Sequence, residues 1–252
     1  MLFYYTATGN CLYVAKKIGD NLLSIPQELK KDVLNYKDEH IGIVAPVYAG
    51  ELPKSVRRFI EKAHFETDYF YLLLTYGKNK SVASKWSEKF CEENGIRVDY
   101  IQSILMVDNY LPSFDMGEEM AIDKQVDSQI KIALDNIQKK VKHIPEPDQA
   151  GVDLYAMASK RFAKHPELIN GEAVIMSDRC VGCKICEQVC PIGNIKIENG
   201  RATRLNKTCD FCLACVHHCP FKAIDLVTDK NPQSRYRHPS ITLKEIVKSN
   251  HQ

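Results

Sequence analysis

The sequence predicts an α/β protein in which a doubly wound, five-stranded parallel sheet is followed by a small cysteine-rich domain. Residues 1–144 alternate short apolar runs with helical patterns, an order typical of βα units. Eight of the ten cysteines then fall within residues 180–220. The chain is 252 residues long, which suits two domains.

Five apolar runs predict the strands of the sheet. They are Leu2–Tyr5, a weak candidate at Asp32–Leu34, Ile41–Pro46, Tyr69–Thr75 and Ile101–Val107. The run Ile41–Pro46 is continuously apolar, as expected of a parallel strand buried on both faces. Helical spacing follows the better runs, and the last helix extends from Val126 to Val141. We therefore expect the strand order 2-1-3-4-5, with ligand loops at the carboxyl ends of strands one and three.

Polar or glycine-containing loops follow three of these strands. The first joins a strand to a helix N-terminus, where free N–H groups and the helix dipole favour a phosphate. The three loops comprise Thr6, Ala7, Thr8, Gly9, Asn10 and Cys11, then Val47, Tyr48, Ala49 and Gly50, then Thr75, Tyr76, Gly77 and Asn79. An ordinary strand–helix turn with threonine caps is the alternative for the first loop. A place in the core is the alternative for Tyr48.

These loops resemble those of the flavodoxin-like family, whose first loop grips the phosphate of FMN. The resemblance rests on Thr6, Thr8, Gly9 and Asn10, and it departs at Cys11, where the family usually carries Ser or Thr. It implies that one FMN binds to the residues of all three loops. In this interpretation Tyr48 stacks on or edges the isoalloxazine ring, and residues 75–79 lie along the ring and the ribityl chain.

The cysteines form the same pattern twice. It runs Cys180-x-x-Cys183-x-x-Cys186-x-x-x-Cys190-Pro191 and again Cys209-x-x-Cys212-x-x-Cys215-x-x-x-Cys219-Pro220. Three thiolates in one short loop hold three corners of a cubane, and the fourth ligates the other cluster. The spacing predicts one [4Fe-4S] cluster on Cys180, Cys183, Cys186 and Cys219, and a second on Cys209, Cys212, Cys215 and Cys190. Structural zinc and disulfides are the alternatives, but zinc sites use two C-x-x-C pairs and disulfides need an oxidising compartment.

The repeated cysteine pattern resembles the 2[4Fe-4S] bacterial ferredoxins, and the whole chain is similar to fused flavodoxin–ferredoxin proteins of the EFR1 family. The predicted domains are a flavodoxin-like FMN domain (1–144), a linker with a short docking helix (145–170), a ferredoxin-type domain (171–229) and a tail (230–252). We expect the basic residues of the tail, Lys230, Arg235, Arg237 and His238, to be solvated, with contact to an acidic redox partner as the alternative. We expect His217 and His218 either to tune a cluster or to be exposed.

This resemblance implies an electron-transfer protein that passes electrons between FMN, two [4Fe-4S] clusters and an unidentified redox protein. A flavin-dependent reductase of a small organic substrate, fed through the clusters, is the main alternative. A regulatory redox sensor is a third hypothesis. No residue stands out as a catalytic acid or base, which favours the carrier.

Composition limits the kinds of partner and the cellular compartment that we expect for the protein. The net charge of +2 does not suggest a nucleic-acid partner. The longest apolar run, Tyr69–Leu74, is far shorter than the roughly 20 residues that span a bilayer. The first residues lack the features of a signal peptide, so we expect a reduced, cytoplasmic setting. Clusters of low potential suit an anaerobic cell, and the sequence leaves open whether the chain forms a homo-oligomer.

Overall fold

A five-stranded, all-parallel sheet forms the centre of the N-terminal domain in the computed structural model, which describes residues 1–252. Its strands, in spatial order, are β2 (Leu22–Ser24), β1 (Leu2–Tyr4), β4 (His40–Pro46), β6 (Tyr69–Tyr76) and β7 (Tyr100–Leu105). Two short strands, β3 (Asn35–Lys37) and β5 (His64–Glu66), pair with each other outside this sheet. Without them the strand order is 2-1-3-4-5, so the predicted doubly wound fold is confirmed.

Helices cover both faces of the sheet. They are α1 (Asn10–Ile18), α2 (Ile25–Glu28), α3 (Lys54–Lys62), α4 (Ala83–Glu93), α5 (Met116–Met120) and α6 (Val126–Gln138). Because successive strand residues face opposite sides, Leu2 and Tyr4 join an apolar cluster with α1 and α6, whereas Phe3 and Tyr5 join one with α3 and α4. No helix of the chain is both long enough and apolar enough to cross a membrane.

The predicted second strand was wrong. Residues 32–34 belong to no strand, and the edge strand is β2, which pairs in parallel with β1 through Leu2 and Leu22. Leu22 continues the helical spacing of apolar residues of the first helix, so the pattern alone does not reveal β2. That helix ends at Ile18, because the chain leaves the helical conformation at Gly19 and turns back at once to the sheet.

The cysteine-rich domain is built from two antiparallel strand pairs and two short helices. Strand β8 (Val174–Met176) pairs with β11 (Ile224–Leu226), and β9 (Ile195–Glu198) pairs with β10 (Arg201–Arg204). The helices α8 (Ile185–Val189) and α9 (Ala214–His218) each end immediately before a Cys-Pro pair. The two halves of the cysteine repeat therefore have the same local structure.

Polar groups join the linker helix α7 (Gln149–Lys164) to the sheet domain. Tyr155 Oη donates to Glu51 at 2.8 Å, and Ser81 Oγ donates to the carbonyl of Gly151 at 2.8 Å. Gly151 is the one buried residue of the helix, and Met157 is 65% exposed. Of the apolar positions on its predicted docking face, Leu154, Ala158 and Phe162 are half-buried, whereas Met157 and Ala163 are exposed.

The tail is docked on the rest of the chain, although its basic residues Lys230 and Arg237 are exposed as expected. Helix α10 (Leu243–Asn250) begins with a capping box between Thr242 and Glu245 and packs against α2 and α8. Ile241 and Ile246 are 2% and 0% exposed and belong to the same apolar cluster as α1. The chain end thus fastens the cysteine-rich domain to the sheet domain.

Candidate iron–sulfur centre and the predicted flavin loops

The eight repeated cysteines line two separate cavities. One, with an empty volume of about 310 Å³, is lined by the outer set, Cys180, Cys183, Cys186 and Cys219. The other, of about 470 Å³, is lined by the inner set, Cys190, Cys209, Cys212 and Cys215. The structure therefore brings together the two groups of four that the spacing assigns to two clusters, including the exchange of the fourth cysteine between the repeats.

The shape of these cysteine groups suits a cluster of several atoms better than a single ion. Zinc would hold four sulfurs at about 2.3 Å from one point. No group of three or more His, Cys, Asp or Glu side chains in residues 1–252 converges in that way. All ten cysteines are free thiols, so disulfides do not account for the pattern. The residues present therefore fit two cubanes.

Matching backbone turns aim the sulfurs into the cavities. The residue just before the second cysteine of each repeat has a left-handed backbone, with φ of 68° at Gly182 and 51° at Phe211. The residue after the second cysteine does too, with φ of 67° at Lys184 and 59° at Leu213. A positive φ is unfavourable for the three non-glycine residues, and such strain is characteristic of functional sites.

Backbone N–H groups donate to cysteine sulfurs in both sets. Asn194 N lies 3.2 Å from Cys190 Sγ and Ala223 N lies 3.2 Å from Cys219 Sγ, each four residues further along the chain. Such donors stabilise the thiolate form that binds iron. Burial works in the opposite direction and raises the pKa of the Cys186 thiol to about 12. Cluster binding must therefore displace protons from the thiols. Because proton release is easier at higher pH, neutral to alkaline pH favours cluster assembly.

The inner set lies at the carboxyl edge of the parallel sheet. Tyr5 Oη, at the end of β1, donates to Asp210 at 2.9 Å, and Lys54 Nζ at the start of α3 donates to the carbonyl of Cys209 at 3.0 Å. Cys212 packs against the apolar clusters on both faces of the sheet. Burial beside Cys212 raises the pKa of Tyr48 well above its ordinary value. This is the edge where a doubly wound sheet normally receives its ligand.

The first predicted flavin loop is filled by protein. Thr6 and Thr8 are each 1% exposed, and Ala7 joins an apolar cluster with Val189 and Ala214 of the cysteine-rich domain. Gly9 has a left-handed φ of 107°, as the motif leads one to expect. Asn10 and Cys11 are also buried. Neither threonine side chain is open to solvent, so a phosphate reaches them only if the protein that covers the loop moves.

The other two loops are partly open. In the second, Val47 and Tyr48 are half-buried, Ala49 is exposed and Gly50 is covered by Tyr155 of α7. In the third, Thr75 is buried and its hydroxyl lies 3.1 Å from Cys11 Sγ, Tyr76 and Gly77 are half-buried, and the side chain of Asn79 accepts from the N–H of Ser81 at 2.6 Å. The three loops lie at one edge of the sheet, as predicted. The second and third loops are partly open, but the predicted phosphate position in the first loop stays covered.

The two adjacent histidines are buried, which corrects the expectation that they might be exposed. His217 Nε2 donates to the carbonyl of Asn109 at 2.9 Å and its Nδ1 accepts from the N–H of Tyr236 at 3.1 Å. Burial lowers the pKa of His217 to about 3, so the ring is neutral at pH 7. Its two ring nitrogens are thus used to join the domains, and neither donates to a cysteine sulfur.

Comparison with known proteins agrees with the cysteine pattern. Residues 172–234 match the family described as a 4Fe-4S dicluster domain. No curated protein matches the sequence. Among solved structures, the metal-soaked Flv1 flavodiiron core from Synechocystis sp. PCC6803 is 12% identical, and the aligned part covers 54% of this chain and 36% of that chain with a TM-score of 0.29. So weak a similarity carries no argument. The chain combines a doubly wound, all-parallel α/β domain with a C-terminal 4Fe-4S ferredoxin-type domain.

Proposed function

We propose that this protein is an electron carrier that holds two [4Fe-4S] clusters and exchanges single electrons with a redox protein. The observation that carries this proposal is the division of eight cysteines into two four-cysteine cavities within one small domain. Clusters of this type, when bound, accept and release electrons over a wide range of potentials. The chain supplies the ligands, the low-dielectric surroundings and the route to the surface.

Apolar side chains keep water away from the outer set. Its cavity is lined only by cysteines and by apolar residues, among them Ile185, Ile197 and Ile224. The N–H of Ala202 donates to Cys180 Sγ at 3.3 Å, so the backbone contributes polarity without a charged side chain. A negative cluster in such surroundings gains further electrons with difficulty, and we therefore expect a low potential for the outer centre.

Electrons enter and leave the protein at the cluster site formed by the outer set. Cys183 is exposed, and two apolar residues on the rim of its cavity, Val181 and Phe221, are 58% and 51% exposed. Exposed apolar side chains grouped around a redox site suit the docking of a protein partner. The inner set is covered by the sheet domain through Tyr5 and Lys54. We propose that the partner docks at the outer set and that the inner set stores or relays the electron.

The alternative of a flavin-dependent reductase has no specific observation in its favour. It requires FMN in the first loop and open space above the ring for a substrate, and the first loop is closed around Thr6 and Thr8. No step of the proposed function therefore passes through a flavin. A cytoplasmic, anaerobic setting remains part of the proposal because it would preserve reduced thiols and low-potential clusters.

Iron analysis of paired variants tests this function. Anaerobically purified protein is expected to hold about eight iron atoms and eight acid-labile sulfides per chain. Replacing Cys183 and Cys186 together by Ala, or Cys209 and Cys212 together, should leave about four of each. Cys91→Ala is the matched control, because Cys91 is buried in α4 away from both sets.

Electron uptake completes the test. Loaded protein titrated with a one-electron reductant should accept about two electrons per chain, and each double variant about one. It should return them to a one-electron acceptor at the same stoichiometry. Zinc in place of iron would refute the ligand assignment. Full iron with no reversible electron uptake would refute the function as a carrier.

A further inference from the structure

We infer that residues 236–250, the C-terminal segment, occupy the phosphate position of the first loop, and that the sheet domain binds its own cluster domain at this edge in place of FMN. The inference concerns loop 6–11, whose sequence and left-handed Gly9 have the form of an anion cradle.

Three oxygen atoms of the loop already accept hydrogen bonds from protein. The hydroxyl of Thr8 accepts from Asn109 Nδ2 at 2.6 Å, and the carbonyl of Thr8 accepts from the N–H of His238 at 2.8 Å. The carbonyl of Thr6 accepts from Asn250 Nδ2 at 2.8 Å. If the segment that carries His238 and Asn250 moved to admit a phosphate, the two buried carbonyls would be left unpaired, which is costly.

Asn10 is held in the same way from two sides. Its Oδ1 accepts from Tyr236 Oη at 2.7 Å, and its Nδ2 donates to the carbonyl of Val107 at 3.1 Å. Tyr236 is 2% exposed, and its N–H is the one that donates to His217 of the cluster domain. A continuous set of hydrogen bonds therefore leads from the loop to the helix between two cysteine ligands.

The space above Gly9 is occupied by side chains of the C-terminal segment. A Cβ on Gly9 would lie 2.9 Å from His238 Cβ and 3.0 Å from Ile241 Cβ. The ring of His238 stacks on Tyr13 of α1 with a centroid distance of 4.1 Å.

The C-terminal segment is anchored at both ends of the contact. Its helix α10 starts at a capping box, and Lys16 of α1 forms an ion pair with Glu245 at 2.7 Å. At its end, Asn250 is fully buried and also donates to the carbonyl of Val189 at 3.2 Å, next to Cys190. The segment is thus a built part of the interface between the two domains.

Flavin binding by the full-length protein tests this inference. Protein with its full iron content is equilibrated with FMN up to about 1 mM, the range of a weak ligand, and bound flavin is measured by equilibrium dialysis. The expected result is no saturable binding and no flavin in the protein as purified. One bound FMN per chain, lost in the variant Thr8→Val, would overturn the inference.

Hydrogen exchange gives a second, independent test. The N–H of His238, which donates to Thr8, should exchange as slowly as the amides of β4, with or without FMN. Rapid exchange of this amide, or a loss of its protection when FMN is added, would show that the segment opens and would overturn the inference. Bound FMN with full iron would leave the proposed carrier function intact, whereas missing iron would refute that function alone.

Discussion

Loss of the Arg204 charge should lower the midpoint potential of the inner cluster site and leave that of the outer site nearly unchanged. Arg204 lines the cavity of the inner set, whereas the cavity of the outer set has no charged side chain in its lining. Its Nη1 is buried without a hydrogen-bond partner. Both this atom and Cys209 Sγ lie 3.3 Å from the position that a Cβ would take on Gly171. A cation in this place favours the negative charge that an added electron brings.

The expected shift follows from Coulomb's law. Two unit charges about 6 Å apart interact by about 2.8 kcal/mol at an effective dielectric constant of about 20. Because Arg204 is partly exposed, solvent and salt reduce this to about half. For a one-electron centre, about 1.4 kcal/mol corresponds to about 59 mV. Arg204→Gln should therefore lower the midpoint potential of the inner centre by about 60 mV.

An anaerobic redox titration followed by EPR measures this shift. Arg201→Gln is the matched control, since it removes the same charge from the same strand but lies exposed and paired with Asp178. It should leave the potential of the inner centre nearly unchanged. Equal shifts of both centres in Arg204→Gln, or no shift of either, would refute the role of this side chain.

Two further predictions concern the C-terminal segment. Ile246→Ala should lower the free energy of unfolding, measured by denaturant titration, by about 2–5 kcal/mol because Ile246 is fully buried. The control Ile132→Ala, at a 56% exposed site on α6, should change this free energy by about 0.5 kcal/mol or less. Equal effects would contradict the docked segment. Burial against Tyr13 lowers the pKa of His238 from 6.5 to about 4, although Asp127 opposes this. The neutral ring is favoured in the fold, so its contribution is complete above pH 6.5 and is lost as the pH falls toward 4. His238→Gln should flatten this part of the pH profile of stability, and an unchanged profile would refute the assignment.

Local patterns in the sequence predicted the sheet and the grouping of the cysteines. Buried parallel strands such as β4 are continuously apolar, and the spacing of cysteines is fixed by the size of a cubane. The edge strand β2 was missed because three residues give no periodicity of their own. Its identity depends on pairing with β1, which is a tertiary contact.

Local sequence patterns could not predict whether a phosphate or another part of the chain fills the first loop. Its threonines and glycine have the same sequence whether they surround a phosphate or another part of the chain. The residues that close it, such as Asn109, Tyr236 and Asn250, are distant in sequence and are polar or aromatic rather than periodic. One signal was available: Asn109 follows the fifth strand and so had to reach the same sheet edge as Thr8.

An EPR-monitored redox titration of the anaerobically purified wild-type protein tests the central claim most directly. The account predicts two one-electron iron–sulfur centres, one of which disappears when Cys183 and Cys186 are replaced and the other when Cys209 and Cys212 are replaced, with no organic radical at any potential. A single centre that all four replacements affect alike would contradict it, and a stoichiometric flavin radical would contradict the closure of the first loop.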